Sequence, residues 1–511
     1  GLWRPLMRRV VSVWFPTFPT DRLQRVGVLP SAGGPFVTTS HDGRRRVVAA
    51  ANAVGQGLGI WSGMPLASAQ ALVPGLGILE AEPEADEAAL TQLATWCLRY
   101  APLVAVDAPD GIWIDVTGCT HLAGGEEALL EDLVARFKRA GFTARAAIAG
   151  TPGVAHAVAR YDGRQMAVIP ADRLRDALAS LPVQALRLPS EVIDGLHRLG
   201  FERIDDLMTA PWAPLVKRFG AVVAWRLAQA LGEQFESIRP LTPPDVIEHR
   251  LAFAEPLLTA EAFAVVVETL MRSVCGRLEH EALGARLLDL LFERVDNSVQ
   301  TIRVGMAQPS RDAAHLGRLL RERFEQVDPG EGVEAMRLIA TIAEPLPFAQ
   351  IQALPEGGTT NTQDLAALLD RLINRFGADR VYRVEPVESD VPERTVRCVP
   401  ASEPPSGKSW PVTLPRPTRL FSPPQPVMVI APLPDHPPRA FTWRNRRHRI
   451  RHADGPERIG GEWWKRDGEM LAVRDYFAVE DEEGQRFWLF RRGDGRHAAS
   501  GDLRWFLHGV F

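Results

Sequence analysis

Between residues 243 and 345 the chain reads strand, helix, strand, strand, helix, strand, in the segments "IEHRLAF", "AEAFAVVVETLMRSVCGRLEHE", "ARLLDLLFE", "VQTIRVGM", "DAAHLGRLLRERFEQV" and "VEAMRLIATIAEP". That order predicts a compact α+β domain, 241–345, whose two helices cover one sheet face. Two stretches of different rhythm precede it. Over 1–168, "VVSVW", "RRRVVAAA", "GIWIDVTG" and "TARAAIAG" alternate with helical segments, which predicts a mixed α/β domain. Residues 169–240 read as helical throughout, with "LPSEVIDGLHRLGFERIDDLMTAP" forming two short helices joined through a turn at Gly200. At 511 residues and 46% hydrophobic content the chain has enough apolar material for several cores.

Beyond 345 the composition changes. Residues 346–362 read as a linker, 363–398 as a short helical and extended segment, and the proline-dense 399–440 as a second linker. Residues 441–511 are rich in Trp and in strand formers, "MLAVRDYFAVED" and "QRFWLFRR" being joined through "EEG", so a small β-rich terminal domain is expected. Cys97, Cys119, Cys275 and Cys398 are scattered without metal-ligand spacing, which predicts a reduced, zinc-free protein with no cofactor. No apolar run is long enough for a membrane span or a signal peptide, so a cytoplasmic protein is expected, nucleoid-associated if bacterial. A formal charge of −4 leaves nucleic-acid contact to local basic patches.

The first strand, "RRVVSVW", is stopped by Pro16 and Pro19 and presents Trp14 and Pro16 at its end, where neither can ligate a metal or move a proton. Asp110 lies at a turn entering a strand whose Ile112, Ile114 and Val116 face one way while Trp113 and Asp115 face the other. Such an acidic pair can bind Mg²⁺; the plainer reading is a turn former and a surface residue.

The domain order resembles the palm and fingers, thumb and little finger of Y-family translesion DNA polymerases over about residues 1–345. "IWSGMPLASAQALVPGL" is similar to that family's fingers segment and "GIWIDVTG" to the strand after its acidic motif. The C-terminal "GPERIGGEWW", "RDYFAVEDEEGQRFWLF" and "WFLHGVF" resemble, more narrowly, the polymerase-like member of a bacterial mutagenesis cassette. The resemblance implies that the family's metal-binding Asp-x-Asp falls at Trp14 and Pro16, and that its Asp-Glu pair falls at Asp110 and Gly111. One carboxylate of three remains. The triphosphate-binding Tyr, Arg and Lys fall at Ala53, Gln56 and His156. Two-metal phosphoryl transfer needs anionic oxygens about 2.0–2.1 Å from each Mg²⁺, which a lone Asp cannot supply. The resemblance therefore implies a non-catalytic adaptor whose vacated pocket is filled by apolar side chains. Its implied partners are primer-template DNA bound without sequence preference, the β sliding clamp, a RecA-like protein and a separate error-prone polymerase. The alternatives are a weak translesion polymerase using Asp21, Asp107, Asp110 or Asp115, and a scaffold that binds only protein.

Candidate DNA contacts are Arg286, Arg303 and Arg337 on the little-finger strands, the backbone amides around Gly200, and the run Arg444, Arg446, Arg447, Arg449 and Arg451 beside Trp443. The competing reading of that run is a solvated basic strand balanced by Glu480, Asp481, Glu482 and Glu483. In "FAQIQALPE", residues Gln350, Ile351, Gln352, Ala353 and Leu354 resemble a degenerate clamp-binding peptide, with small Ala353 and Leu354 at the anchor positions. The Trp-rich terminal domain is the candidate surface for the RecA-like partner.

Overall fold

Strand Val10–Trp14 forms because β-branched side chains fill both of its faces. It lies at the centre of a five-stranded sheet ordered Leu103–Asp107, Gly111–Asp115, Val10–Trp14, Arg145–Ala149, Met166–Val168. Val11, Val13, Ile112 and Ile114 pack on helices Pro83–Trp96 and Glu126–Arg139 through Leu90, Leu129, Leu133 and Phe137. Val10, Trp113, Ala147 and Ala149 pack on the other side against helix Pro152–Tyr161 and the helical region beyond it. The register places Trp14 opposite Gly111 on one neighbour and Arg145 on the other, so these three residues stand level at one sheet end. A separate three-stranded sheet, Arg46–Ala51, Phe36–His41 and Gly77–Glu80, carries the short helices Ala53–Gly57 and Leu66–Leu72.

This is a computed structural model. It describes residues 7–27, 33–241, 246–346, 359–403, 405–409, 416–432, 436–462, 472–494, 497 and 500–511. The chain divides into two compact units, Gly1–Val381 and Tyr382–Phe511.

In the first unit, helices Ser190–Arg198 and Ile204–Thr209 form the hairpin, with Leu196, Ile204 and Leu207 fully buried and Gly200 in the left-handed region at φ 84°. Further on, strands Ile247–Leu257, Leu283–Arg294, Val299–Ser310 and Val333–Pro345 and helices Ala260–His280 and Ala313–Arg321 occur in the order read from the sequence. The sheet order is Val299–Ser310, Leu283–Arg294, Val333–Pro345, Ile247–Leu257, and both helices join its apolar core. Helix Thr359–Phe376 follows; its Asn374 side chain exchanges hydrogen bonds with the Gly305 backbone at 3.0 and 2.7 Å.

The second unit contains a two-stranded sheet, Tyr382–Pro386 with Val396–Pro400, and a closed six-stranded barrel. The barrel strands are Arg419–Ile430, Ala440–Trp443, Arg446–Gly460, Val473–Asp481, Arg486–Arg492 and Trp505–Val510, with Phe441, Phe477, Phe487, Leu489 and Leu507 packed inside. The reading of 399–440 as a linker is corrected here, because Arg419–Ile430 closes the barrel by pairing with Trp505–Val510. Proline is tolerated because the ladder breaks between Leu420 and Gln425, where Pro423 and Pro424 need donate nothing. Trp488 is buried in a second aromatic cluster, so it fills a core and is not part of a partner surface. Trp410, Trp463 and Trp464 lie outside the described residues.

Candidate functional site

The sheet end that carries Trp14 holds an arginine where the sequence reading expected apolar filling. Arg160, on helix Pro152–Tyr161, donates from Nη2 to Asp110 Oδ1 at 3.0 Å and to Asp107 Oδ2 at 3.2 Å. The Trp14 indole N–H donates to the other Asp110 oxygen at 2.9 Å. The guanidinium carbons of Arg145 and Arg160 lie 5.5 and 5.9 Å from the Trp14 ring, a cation–π arrangement on the indole. The correction has a plain cause: two carboxylates entering a half-buried sheet end need a cation, and the helix packed on that end supplies one.

Burial pushes the Asp107 carboxyl above its ordinary value, while the guanidinium groups of Arg160 and Arg187 pull it back. His156, one turn before Arg160, stacks on Trp113 with ring centroids 5.7 Å apart and places Nε2 3.8 Å from Asp107. Burial, together with the nearby arginines, depresses its pKa to about 2, so the ring is neutral in the folded state.

Gly111 is tightly enclosed. A Cβ built there would stand 2.8 Å from Arg160 Nη2, 3.0 Å from Asp107 Oδ2 and 3.0 Å from the Val13 carbonyl oxygen. Ala53 is exposed, and Gln56 turns its amide back to the Ala51 and Pro16 carbonyls at 3.1 and 3.4 Å. Asp115 and Asp21 do not join the pair. Asp115 accepts from Arg8 at 3.1 Å and Thr117 at 2.6 Å, four residues along its strand from Gly111; Asp21 accepts from Thr17 at 2.9 Å and the Thr143 amide at 2.7 Å. Among the described residues no three or more His, Cys, Asp or Glu side chains come together as a metal-binding group.

The candidate DNA contacts separate sharply. Arg303 is 1% exposed and cannot reach a phosphate. It makes a forked ion pair with Asp289 at 2.7 Å on both arms, and donates to the Arg99 and Leu98 carbonyls at 2.7 and 2.9 Å. The face of the sheet opposite its helices is packed at this point against the α/β domain, which a strand pattern alone cannot reveal. Arg337 pairs with Glu293 at 3.0 Å and Glu248 at 3.8 Å, and Arg286 with Glu344 at 3.3 Å, so both half-buried guanidinium groups are already charge-compensated. The amides around Gly200 are likewise engaged within the chain. Gly200 N–H donates to His197 O at 2.9 Å, Phe201 N–H to Leu196 O at 3.1 Å, and the Glu202 and Arg203 amides to the Asp206 carboxylate at 3.0 and 2.8 Å. These bonds close one helix and cap the next, leaving no amide of this turn for phosphate. In the second unit, Arg444, Arg447, Arg449 and Arg451 are exposed and Arg446 pairs with Glu483. The clamp-peptide residues, Gln350 to Leu354, lie outside the described residues.

Sequence reasoning missed Arg160. Its signal was present, since it follows His156 by four residues and shares that residue's helix face.

Residues 29–160 match the impB/mucB/samB family, and residues 247–354 match the C-terminal domain of that family. Residues 424–511 match a domain of unknown function, DUF6504. DNA polymerase IV of Desulfatibacillum aliphaticivorans is 24% identical over 69% of this chain and 90% of its own length. Among solved structures, DinB from Sulfolobus solfataricus is 18% identical over 65% of this chain and 98% of its own, with a TM-score of 0.39. An insertion ternary complex of Dbh DNA polymerase is 17% identical over 66% and 99%, with a TM-score of 0.40. The family matches, with the sheet and helix order above, define a Y-family polymerase-like protein carrying an additional β-rich domain. Protein ImuB of Caulobacter vibrioides is 44% identical over 460 residues, covering 89% of this chain and 100% of that protein. The chain belongs to the ImuB family.

Proposed function

We propose that this chain is a non-catalytic, polymerase-shaped adaptor in error-prone translesion DNA synthesis during the SOS response. It engages primer-template DNA without sequence preference and links it to the sliding clamp, a RecA-like protein and a separate error-prone polymerase. The partners follow from the family resemblance. The proposed loss of chemistry rests on one observation: the sheet-end carboxylates Asp107 and Asp110 share the Arg160 guanidinium. A guanidinium in that place compensates the negative charge that would otherwise attract a divalent ion, and it cannot polarise a leaving pyrophosphate as a metal pair does.

The test is primer extension by the purified full chain with Mg²⁺ or Mn²⁺, run beside a binding assay on the same DNA. Binding without extension is expected, and Asp110→Ala should leave the chain's role in damage-induced mutagenesis intact. Template-dependent extension that Asp110→Ala abolishes would establish the weak-polymerase alternative instead.

A further inference from the structure

One end of the barrel holds a cleft of about 310 Å³ whose lining contains two arginines and three aromatic rings and no Asp or Glu side chain. Phe421, Trp443 and Phe511 are each half-buried, their remaining surface facing solvent. Each carries a guanidinium against its ring: Arg419 at 5.7 Å from Phe421, Arg444 at 4.6 Å from Trp443 and Arg486 at 4.7 Å from Phe511. Among the described residues no carboxylate pairs with Arg419, Arg444 or Arg486, unlike most arginines of this unit. Trp443 is fixed in place, its indole N–H donating to Gln425 Oε1 at 2.6 Å and its ring lying 5.8 Å from that of Phe421.

Arg444 is presented by a two-residue hairpin in which it and Asn445 take φ values of 48° and 65°. An arginine at the first of these positions replaces the Asn, Asp or Gly such a turn favours, and strain of that kind persists where a side chain is needed. From this turn, Arg447 and Arg449 continue on the exposed face of strand Arg446–Gly460, at alternate residues and so about 6.6 Å apart, and exposed Arg451 follows at the register shift between Ile450 and His452.

We propose that this end of the barrel binds single-stranded DNA, with bases stacked on Trp443, Phe421 and Phe511 and the backbone tracked by Arg419, Arg444 and the Arg447–Arg449–Arg451 row. Flat half-exposed rings beside unpaired cations match unstacked bases joined by phosphates. A duplex hides its base faces, and an acidic peptide has no use for three ring faces. Neither family match nor relative assigns a ligand to this domain.

The experiment uses the full chain and a fluorescein-labelled dT15, read by anisotropy, with a primer-template duplex measured in parallel. Trp443→Ala with Phe511→Ala is expected to weaken dT15 binding by about ten-fold or more, and Arg444→Glu, which touches no core, to weaken it and flatten its salt dependence. Binding of the duplex by the same variants should stay at the wild-type level. Photocrosslinking of a 5-iodouracil oligonucleotide should map to Trp443 or Phe511. Wild-type failure to bind dT15, native affinity in Arg444→Glu, or a crosslink confined to the first unit would each overturn the proposal. Loss of duplex binding alone would count against the adaptor reading only.

Discussion

Replacing Arg303 with methionine keeps an unbranched apolar stem but removes the guanidinium and its charge, and the surroundings set the cost. Asp289 is 0% exposed, and without Arg303 its carboxylate retains, among the described residues, the Thr341 hydroxyl as its side-chain donor. The Leu98 and Arg99 carbonyls lose their donors in the same step. Removing one partner of a buried pair costs about 3–5 kcal/mol, because the other charge is stranded. The unmet carbonyls place the expected value toward the upper end of that range. Replacing both residues, as in Arg303→Met with Asp289→Leu, removes the stranded charge and leaves mainly the carbonyl penalty of about 1–3 kcal/mol. The double variant is therefore expected to be more stable than Arg303→Met alone, with a coupling energy of at least about 2 kcal/mol. Urea unfolding followed by circular dichroism measures this, and at slopes of about 2–3 kcal/mol per molar the single variant shifts the midpoint by on the order of 1–2 M. Single variants that each cost under about 1 kcal/mol, or costs that simply add, would refute the buried-strut account.

Two further outcomes are expected. His156 has a folded pKa of about 2 against an ordinary 6.5, so the unfolded chain binds the extra proton. Its stabilising contribution is complete above pH 6.5 and declines below it by about 1.4 kcal/mol per pH unit; His156→Phe should reduce the acid slope of stability by that amount, and an unchanged slope between pH 6 and 4 would refute the assignment. For residues 350–354, Gln350→Ala with Leu354→Ala should abolish clamp association, and Ala353→Leu with Leu354→Phe should tighten it about ten-fold, by calorimetry. Native affinity in the double-alanine variant would place the clamp peptide elsewhere.

The palm-like strand was legible because period-two alternation states which side chains share a face: Ile112, Ile114 and Val116 entered one core and Trp113 the other. Alternation is silent on what covers a face. Arg303 therefore read as a DNA contact, although carbonyls some two hundred residues earlier in the chain take up its donors. Proline misled for a related reason. At 399–440 it looks like a linker, because a sequence does not show that a strand is about to break its ladder at the prolines and then close a barrel. At the polymerase-like site, the proposed loss of carboxylates is read from Trp14, Pro16 and Gly111 in the sequence. The arginine that joined the remaining ones is not, since charge compensation is settled by three-dimensional packing.

The enclosure of Gly111 sets the direction in which this sheet end can change. A glutamate there needs space held by Arg160, Asp107 and a strand carbonyl, so that substitution meets a clash as long as the arginine remains. Withdrawing the arginine first leaves Asp107 and Asp110 facing each other without their shared cation. Either first step lowers stability before any metal site exists to repay it. The arginine thus couples the positions: an acidic residue at 111 requires Arg160 and the two carboxylates that share it to change together.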